Sequence, residues 1–385
     1  MAAPTVEVVG KAITTKRWGM RSARRLQILA VAAAVTVATV GGPTSAVAQA
    51  GPTGRSGGHG DRLRADATVS ADGRGDFTSV QAAIDAAPEA RTREWVIAVR
   101  PGEYHELVKV PAAKPHLTLV GTGRDAQDVV ISYDNANGTA KPDGSGTYGT
   151  SGSASVTIDG ADFTARNLTF ANTFDEAAHP EITNRQAVAV LTRADRLVFD
   201  DVRFLGNQDT LYVNSSAADV VARAYFRDCY VEGDVDFIFG RASAVFDGCR
   251  IHSLTRGSST NNGYVTAPST SIANPYGFLF TGSRFTSDAP AGTVFLGRPW
   301  HPSNDPAALG QVLVRDSWIG DHVGATAWSD FSGGWSWRDA RFAEHHNRGP
   351  GALVTDDRPQ LTRAEARGLE VRDYLSGADG WSPWC

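Results

Sequence analysis

The chain is poor in sulfur, with three cysteines and two methionines in 385 residues. Three cysteines cannot staple a small disulfide scaffold, so a hydrophobic core has to hold the fold, and 42% hydrophobic against 21% charged residues is a composition that can supply one. Excess charge is also scarce. The formal net charge is −5, and beyond the N-terminal region there is no run of lysine and arginine, which argues against nucleic acid as a partner. A few local arginines can still hold an anionic ligand. After residue 50 no apolar run is long enough to span a bilayer. Familiar catalytic signatures are missing as well. There is no G-x-S-x-G elbow, and His301, His322, His345 and His346 stand in no zinc-binding pattern. GTGRD (121 to 125) lacks both the Lys-Ser/Thr ending of a phosphate loop and the full dinucleotide fingerprint, and reads as a turn. No cofactor and no metal are expected.

The N-terminus carries an export pattern. Lys11, Lys16, Arg17, Arg21, Arg24 and Arg25 precede the apolar stretch LQILAVAAAVTVATV, which runs into AVAQA with small Ala48 and Ala50 at cleavage-site positions. Residues 1–50 are therefore expected to be a signal peptide, 51–67 a flexible Gly/Ser-rich lead-in, and 68–385 a single catalytic domain that is secreted and free of the membrane. In an oxidising compartment Cys229 and Cys249 can pair, which leaves Cys385 over. Nothing in the sequence demands a partner subunit, so a monomer is expected.

What is abundant is a weak internal repeat: FDDVRF (199 to 204), FRDCYV (226 to 231), FDGCRI (246 to 251), FTGSRF (280 to 285) and VRDSWI (314 to 319), with RNLTF ending at Phe170 as a rougher copy. Their last residues, 170, 204, 231, 251, 285 and 319, are 34, 27, 20, 34 and 34 apart. Unequal periods built on a constant short strand suit a solenoid whose rungs differ in loop length. A parallel β-helix is the first reading; a β-sandwich also supplies many short strands, while the uneven period counts against a propeller. FTSVQAAIDAAPE (77 to 89) and LTRAEARGLEVRDYL (361 to 375) have helical character and are expected to cap the two ends.

The repeat also pairs two acids. Asp209 lies five residues after Phe204 and Asp236 five after Val231, so equivalent anchors place both carboxylates at the same corner of adjacent rungs. Rungs are spaced about 4.8 Å apart, so the carboxyls would sit roughly 4 to 6 Å apart, close enough for one to hold a proton while the other is ionised. Aspartate is also a common turn former, and either acid can be only that. Arg298 in VFLGRPW (294 to 300) can clamp Asp236 through two hydrogen bonds, and Trp300 beside it offers a face for a sugar ring. Gln186 and Gln208 can donate amide hydrogens to an oxyanion, or can simply be polar corner residues.

Five segments in order, GEYHE (102 to 106), QAVAV (186 to 190), GNQDTLY (206 to 212), DFIFG (236 to 240) and LGRPW (296 to 300), resemble the motifs of the pectin methylesterases, the pectinesterases. The resemblance implies an all-β, right-handed parallel β-helix that acts without a metal on the methyl esters of homogalacturonan. Carried over by residue, it implies Asp236 as nucleophile, Asp209 as general acid and then base, and Gln186 and Gln208 at the oxyanion. It further implies that Arg298 holds Asp236, that Trp300, Tyr212 and Phe239 bind the sugar, and that Cys229 and Cys249 form a disulfide between adjacent coils. The chain departs from the usual motifs at Val190, where leucine is common, and at Asn207, where an aromatic residue is common; both changes bear on substrate fit rather than on proton transfer. A depolymerising glycosidase and a non-catalytic polysaccharide-binding coil are the competing functions.

Overall fold

The computed structural model of the chain describes residues 64–383. The expected signal peptide, nearly all of the lead-in and Cys385 lie outside those residues. Within them the chain winds as a parallel β-helix whose strands form one long sheet of sixteen strands and a second sheet of seven.

The repeat read from the sequence is the register of this coil. Phe170 pairs with Phe204, Phe204 with Val231, Val231 with Ile251, Ile251 with Phe285 and Phe285 with Ile319. The first position of the repeat forms a second column, in which the rings of Phe199, Phe226, Phe246 and Phe280 stack at centroid separations of 4.7, 4.5 and 4.6 Å. All four are fully buried. Each ring contact adds about 0.5–1.5 kcal/mol beyond area burial, so the column stiffens the coil along its length.

The third position explains the corner. Asn167, Asp201, Asp228, Gly248, Gly282 and Asp316 all have positive φ, between 50° and 64°. This left-handed conformation turns the chain sharply inside each rung, and it is tolerated by glycine, which has no Cβ, and by Asn and Asp, whose short side chains bond locally. The repeat thus alternates a packing requirement at its first, fourth and sixth residues with a conformational one at its third.

The ends differ from expectation at one side. The helix Val80–Ala86, capped by the Ser79 side chain accepting from the Ala82 amide, buries Val80, Ala83 and Ile84 on the core and closes the N-terminal end as expected. Of LTRAEARGLEVRDYL only Val371–Leu375 is helical. Gly368 takes a φ of +84°, which breaks the run, and Glu370 and Asp373 form a new capping box after it. The short helix sets Tyr374 and Leu375 against Tyr225, Val245, Leu279 and Leu313, on the outer flank of the long sheet rather than over the end of the coil.

Near the C-terminal end a buried ion pair joins the last strand, Arg341–His345, to the segment after it. Arg358 and Glu344 are each 1% exposed, and two guanidinium nitrogens donate to the two carboxylate oxygens at 2.7 and 2.6 Å. Arg358→Ala leaves Glu344 buried and unpaired, and is expected to cost about 3–5 kcal/mol. The midpoint of urea unfolding reads this directly, and a midpoint equal to the parent's would contradict it.

The expected disulfide is not formed. Cys229 and Cys249 are buried free thiols on adjacent rungs. Each Sγ donates to backbone carbonyls, Cys229 to Phe199 and Arg227 at 3.4 and 3.3 Å and Cys249 to Phe226 and Asp247 at 3.4 and 3.6 Å. Burial, then a hydrogen bond with the neighbouring Cys249, pushes the Cys229 thiol well up. Among the described residues no helix is long and apolar enough to cross a membrane.

Candidate active site

The seven-stranded sheet carries the site. Leu211–Val213 pairs with Val235–Gly240 so that Leu211 faces Ile238 and Tyr212 faces Phe239. The same register sets Asp209 beside Asp236, and the Asp209 amide donates to the Val235 carbonyl at 3.0 Å. Both aspartates have positive φ, 67° and 52°. This conformation interrupts the alternation of the strand, so that Asp236 lies in the cleft while Phe237 and Ile238 both join the core. Apolar neighbours in sequence thus become a dry wall beneath a carboxylate.

Arg298 follows the strand Val294–Gly297 and reaches Asp236 with two parallel hydrogen bonds, Nε to Oδ1 at 2.9 Å and Nη2 to Oδ2 at 2.7 Å. Its guanidinium lies against the Tyr264 ring at 3.9 Å and the Phe331 ring at 4.6 Å. Ring contacts and carboxylate leave the fork little freedom, so its two bonds also orient Asp236. Tyr264 and Phe331 were not anticipated. Their only signal in the sequence is aromatic identity, and the contact with Arg298 exists only after folding. Replacing Tyr264 with leucine is expected to lower kcat several-fold with a small change in KM, because it loosens the clamp without touching the reacting atoms. Steady-state kinetics check the split.

Asp209 and Asp236 are 8% exposed each. Burial raises the Asp209 carboxyl well above the usual range and the Asp236 charge raises it further; Arg298 opposes both effects. Burial raises Asp236 too, but Arg298 counters it by hydrogen bonding and by charge. The environments separate the two acids, favouring the proton on Asp209 and the charge on Asp236.

Gln186 and Gln208 line the same cleft, about 590 Å³ in volume, and lie on adjacent rungs, with the Ala187 amide donating to the Gln208 carbonyl at 3.0 Å. The Gln208 side chain also bonds Asp209. The Gln186 Oε1, an acceptor, is buried with no partner, while the Nε2 of the same amide is the atom able to donate to an oxyanion. A buried amide of this kind is costly unless a ligand meets it. Tyr212 and Phe239 stack at 4.1 Å, and Trp300 meets both edge-on at 6.0 and 5.7 Å. The three do come together, but unequally. Tyr212 and Phe239 are 7% and 3% exposed and form the floor, while partly exposed Trp300 presents the accessible face. Tyr148 and Thr150, at the start of the short helix Gly149–Gly152, which had no legible signal in the sequence, also line the cleft.

Two acids just before Asp236 in the chain, Glu232 and Asp234, have other partners. Asp234 is buried, and accepts from Arg256 at 2.8 Å and from the Val235 amide at 2.6 Å. Glu232 accepts from the Tyr230 hydroxyl at 2.6 Å. Neither lines the cleft that holds Asp236.

An ionised carboxylate clamped by arginine, a protonated one beside it and amide groups across the cleft form a set able to attack a carbonyl, hold the resulting oxyanion and protonate a leaving group. Similarities to known proteins agree. The pectin methylesterase PemA from Erwinia chrysanthemi superposes with a TM-score of 0.74 at 35% identity, covering 83% of this chain and 98% of that one. A pectin methylesterase crystallised in complex with a hexasaccharide superposes with a TM-score of 0.75, also at 35% identity over 83% of this chain and 98% of that one. The pectinesterase of Ralstonia nicotianae is 37% identical over 321 residues, 75% of this chain and 81% of that protein. Pectinesterase A of Dickeya dadantii is 37% identical over 344 residues, 82% of this chain and 90% of that one. Since the sequence profile of the pectinesterases also matches residues 66–368, nearly the whole coil, the chain belongs to the pectinesterase family.

Proposed function

We propose that this protein is a carboxylic ester hydrolase that removes methyl groups from esterified polygalacturonate, with Asp236 as nucleophile. The carrying observation is the bidentate clamp of Arg298 on Asp236 beside an Asp209 that burial keeps protonated. An Asp236 oxygen attacks the ester carbonyl carbon, and the electron pair of the C=O bond moves to oxygen. Gln186, assisted by Gln208, donates to that oxyanion. Its collapse breaks the bond to the methoxy oxygen, which takes the Asp209 proton and leaves as methanol. The acyl group then remains on Asp236 as an anhydride. Asp209, now a carboxylate, takes a proton from water as that water attacks the anhydride carbonyl. Breakdown frees the galacturonate acid and Asp236, and Asp209 again holds its proton. Trp300, above the floor of Tyr212 and Phe239, stacks the sugar.

The decisive assay follows methanol and reducing ends together on highly methylated pectin. Methanol without new reducing ends is expected; new reducing ends would make the enzyme a depolymerase, and binding without either product would make it a polysaccharide-binding coil. Gln186→Ala is expected to lower kcat about 10²-fold with KM nearly unchanged, because an oxyanion contact acts in the transition state. A pure rise in KM would assign Gln186 to substrate binding instead. The basic and apolar N-terminal segment supports export, and the self-contained coil supports a monomer acting outside the cell.

A further inference from the structure

Outside the cleft, the long sheet carries an outward column that the proposed reaction does not use. Arg203 pairs in register with Tyr230, Tyr230 with Arg250, Arg250 with Arg284, Arg284 with Trp318 and Trp318 with Arg348. Steps of about 4.8 Å carry this ladder over roughly 24 Å. The guanidiniums of Arg203 and Arg250 lie 5.2 and 5.7 Å from the Tyr230 centroid, and that of Arg284 lies 3.9 Å from the Trp318 centroid.

The ladder differs from those arginines of this sheet that acids hold, although Arg166 and Arg341 of the sheet also have no carboxylate partner among the described residues. Arg227 is paired with Asp200, and Arg223 with Asp195 and Asp379. Among the described residues Arg203, Arg250, Arg284 and Arg348 have no carboxylate within salt-bridge distance. The acids nearby are otherwise engaged or set aside. Glu232 accepts from Tyr230, and Asp316 is held by Arg315 and His346. Asp201 and Asp228 lie at the left-handed corner, where the charges acting on Asp201 are those of other acids, Asp200, Asp228 and Asp125. His252 stands beside Tyr230, its ring bonded to Thr286.

We propose that this ladder is a second, non-catalytic binding surface for de-esterified galacturonan. The recognising chemistry is a polymer that repeats a carboxylate and a pyranose ring. Guanidinium forks take carboxylates through two hydrogen bonds, and the rings of Tyr230 and Trp318, whose faces those guanidiniums cover, hold the forks in a row. Fully esterified pectin has the rings without the charges. The polymer becomes a ligand for the ladder only as the enzyme works on it, and each ester cleaved adds a carboxylate. Holding the product chain raises the effective concentration of remaining esters at the cleft. This inference rests on galacturonan as the substrate of the cleft.

The test is electrophoresis of the whole protein through gels containing methyl-free polygalacturonate, in which no turnover occurs. The triple variant Arg203→Gln, Arg250→Gln, Arg284→Gln is expected to bind at least tenfold more weakly than the parent, and Trp318→Ala several-fold more weakly. Added salt should weaken the parent far more than the triple variant. Methanol release from a short esterified hexamer should stay within twofold, since none of these side chains lines the cleft. Equal retardation of parent and triple variant would overturn the proposal. So would equal retardation of the parent by a sulfated dextran, which would mark a general polyanion surface. Failure of the parent to release methanol from the hexamer would instead sink the reading of the cleft, because gel retardation is scored without turnover.

Discussion

Asp236→Asn is expected to lower methanol release by about 10⁴-fold or more while leaving a folded coil. Asparagine matches the volume of aspartate and tolerates the same positive φ, so the corner at residue 236 survives. Its side-chain oxygen still accepts one hydrogen bond from Arg298. Its amide nitrogen, however, turns a donor toward the second guanidinium donor, at a cost of about 1–3 kcal/mol that a urea titration would detect. The loss of rate has a different origin, since an amide carries no charge to form the acyl bond. Asp209→Asn provides the contrast. It leaves the nucleophile in place and removes the proton for methanol and the base for water, so its turnover should fall by about 10²–10⁴-fold. Near-normal turnover by Asp236→Asn would exclude Asp236 as nucleophile, and the position of Arg298 would then need another purpose.

The second large effect is on pH dependence. Turnover needs Asp236 ionised and Asp209 protonated. Because burial raises Asp236, the acid limb of kcat/KM should lie above the usual carboxylate range, and because Asp209 is raised well beyond that, the basic limb should lie higher still. Arg298 lowers both groups. Removing its charge with Arg298→Gln therefore shifts both limbs upward. At a pH where the parent holds Asp236 ionised, the variant protonates it and stalls. Activity at the parent's optimum should fall about 10²–10³-fold, with part recovered at higher pH. A profile scaled down with unmoved limbs would show that Arg298 orients Asp236 without setting its charge.

Much of this was legible because the fold is periodic. Phe204 and Val231 recur at one strand position, and burial of one face forces that recurrence into register; a slip by one residue would turn every core side chain outward. Once that register holds, the offset from anchor to acid fixes Asp209 against Asp236, with no knowledge of the loops between. The left-handed corner was just as local, written as Asn167, Asp201, Asp228, Gly248 and Gly282, yet an apolar pattern does not detect it, since those residues matter for φ and not for burial.

Other features depend on where unequal loops return, or on which competing bond is made. Phe331 reaches Arg298 from a loop after the last strand of the seven-stranded sheet, and Tyr148 approaches from well before the first catalytic acid. The segment 361–375 has helical composition, but Gly368 divides it and the flank of the long sheet claims only its last turn. Cys229 and Cys249 were placed on neighbouring rungs by the repeat, but only the structure shows them as free thiols, each bonded to backbone carbonyls. By itself the sequence determined the coil, the register and the pairing of two carboxylates, because these follow from short-range periodicity. The tertiary structure alone decided how differently burial and charge act on the two carboxylates, what holds Arg298 and which arginines meet no carboxylate, because burial and charge depend on neighbours that are distant along the chain.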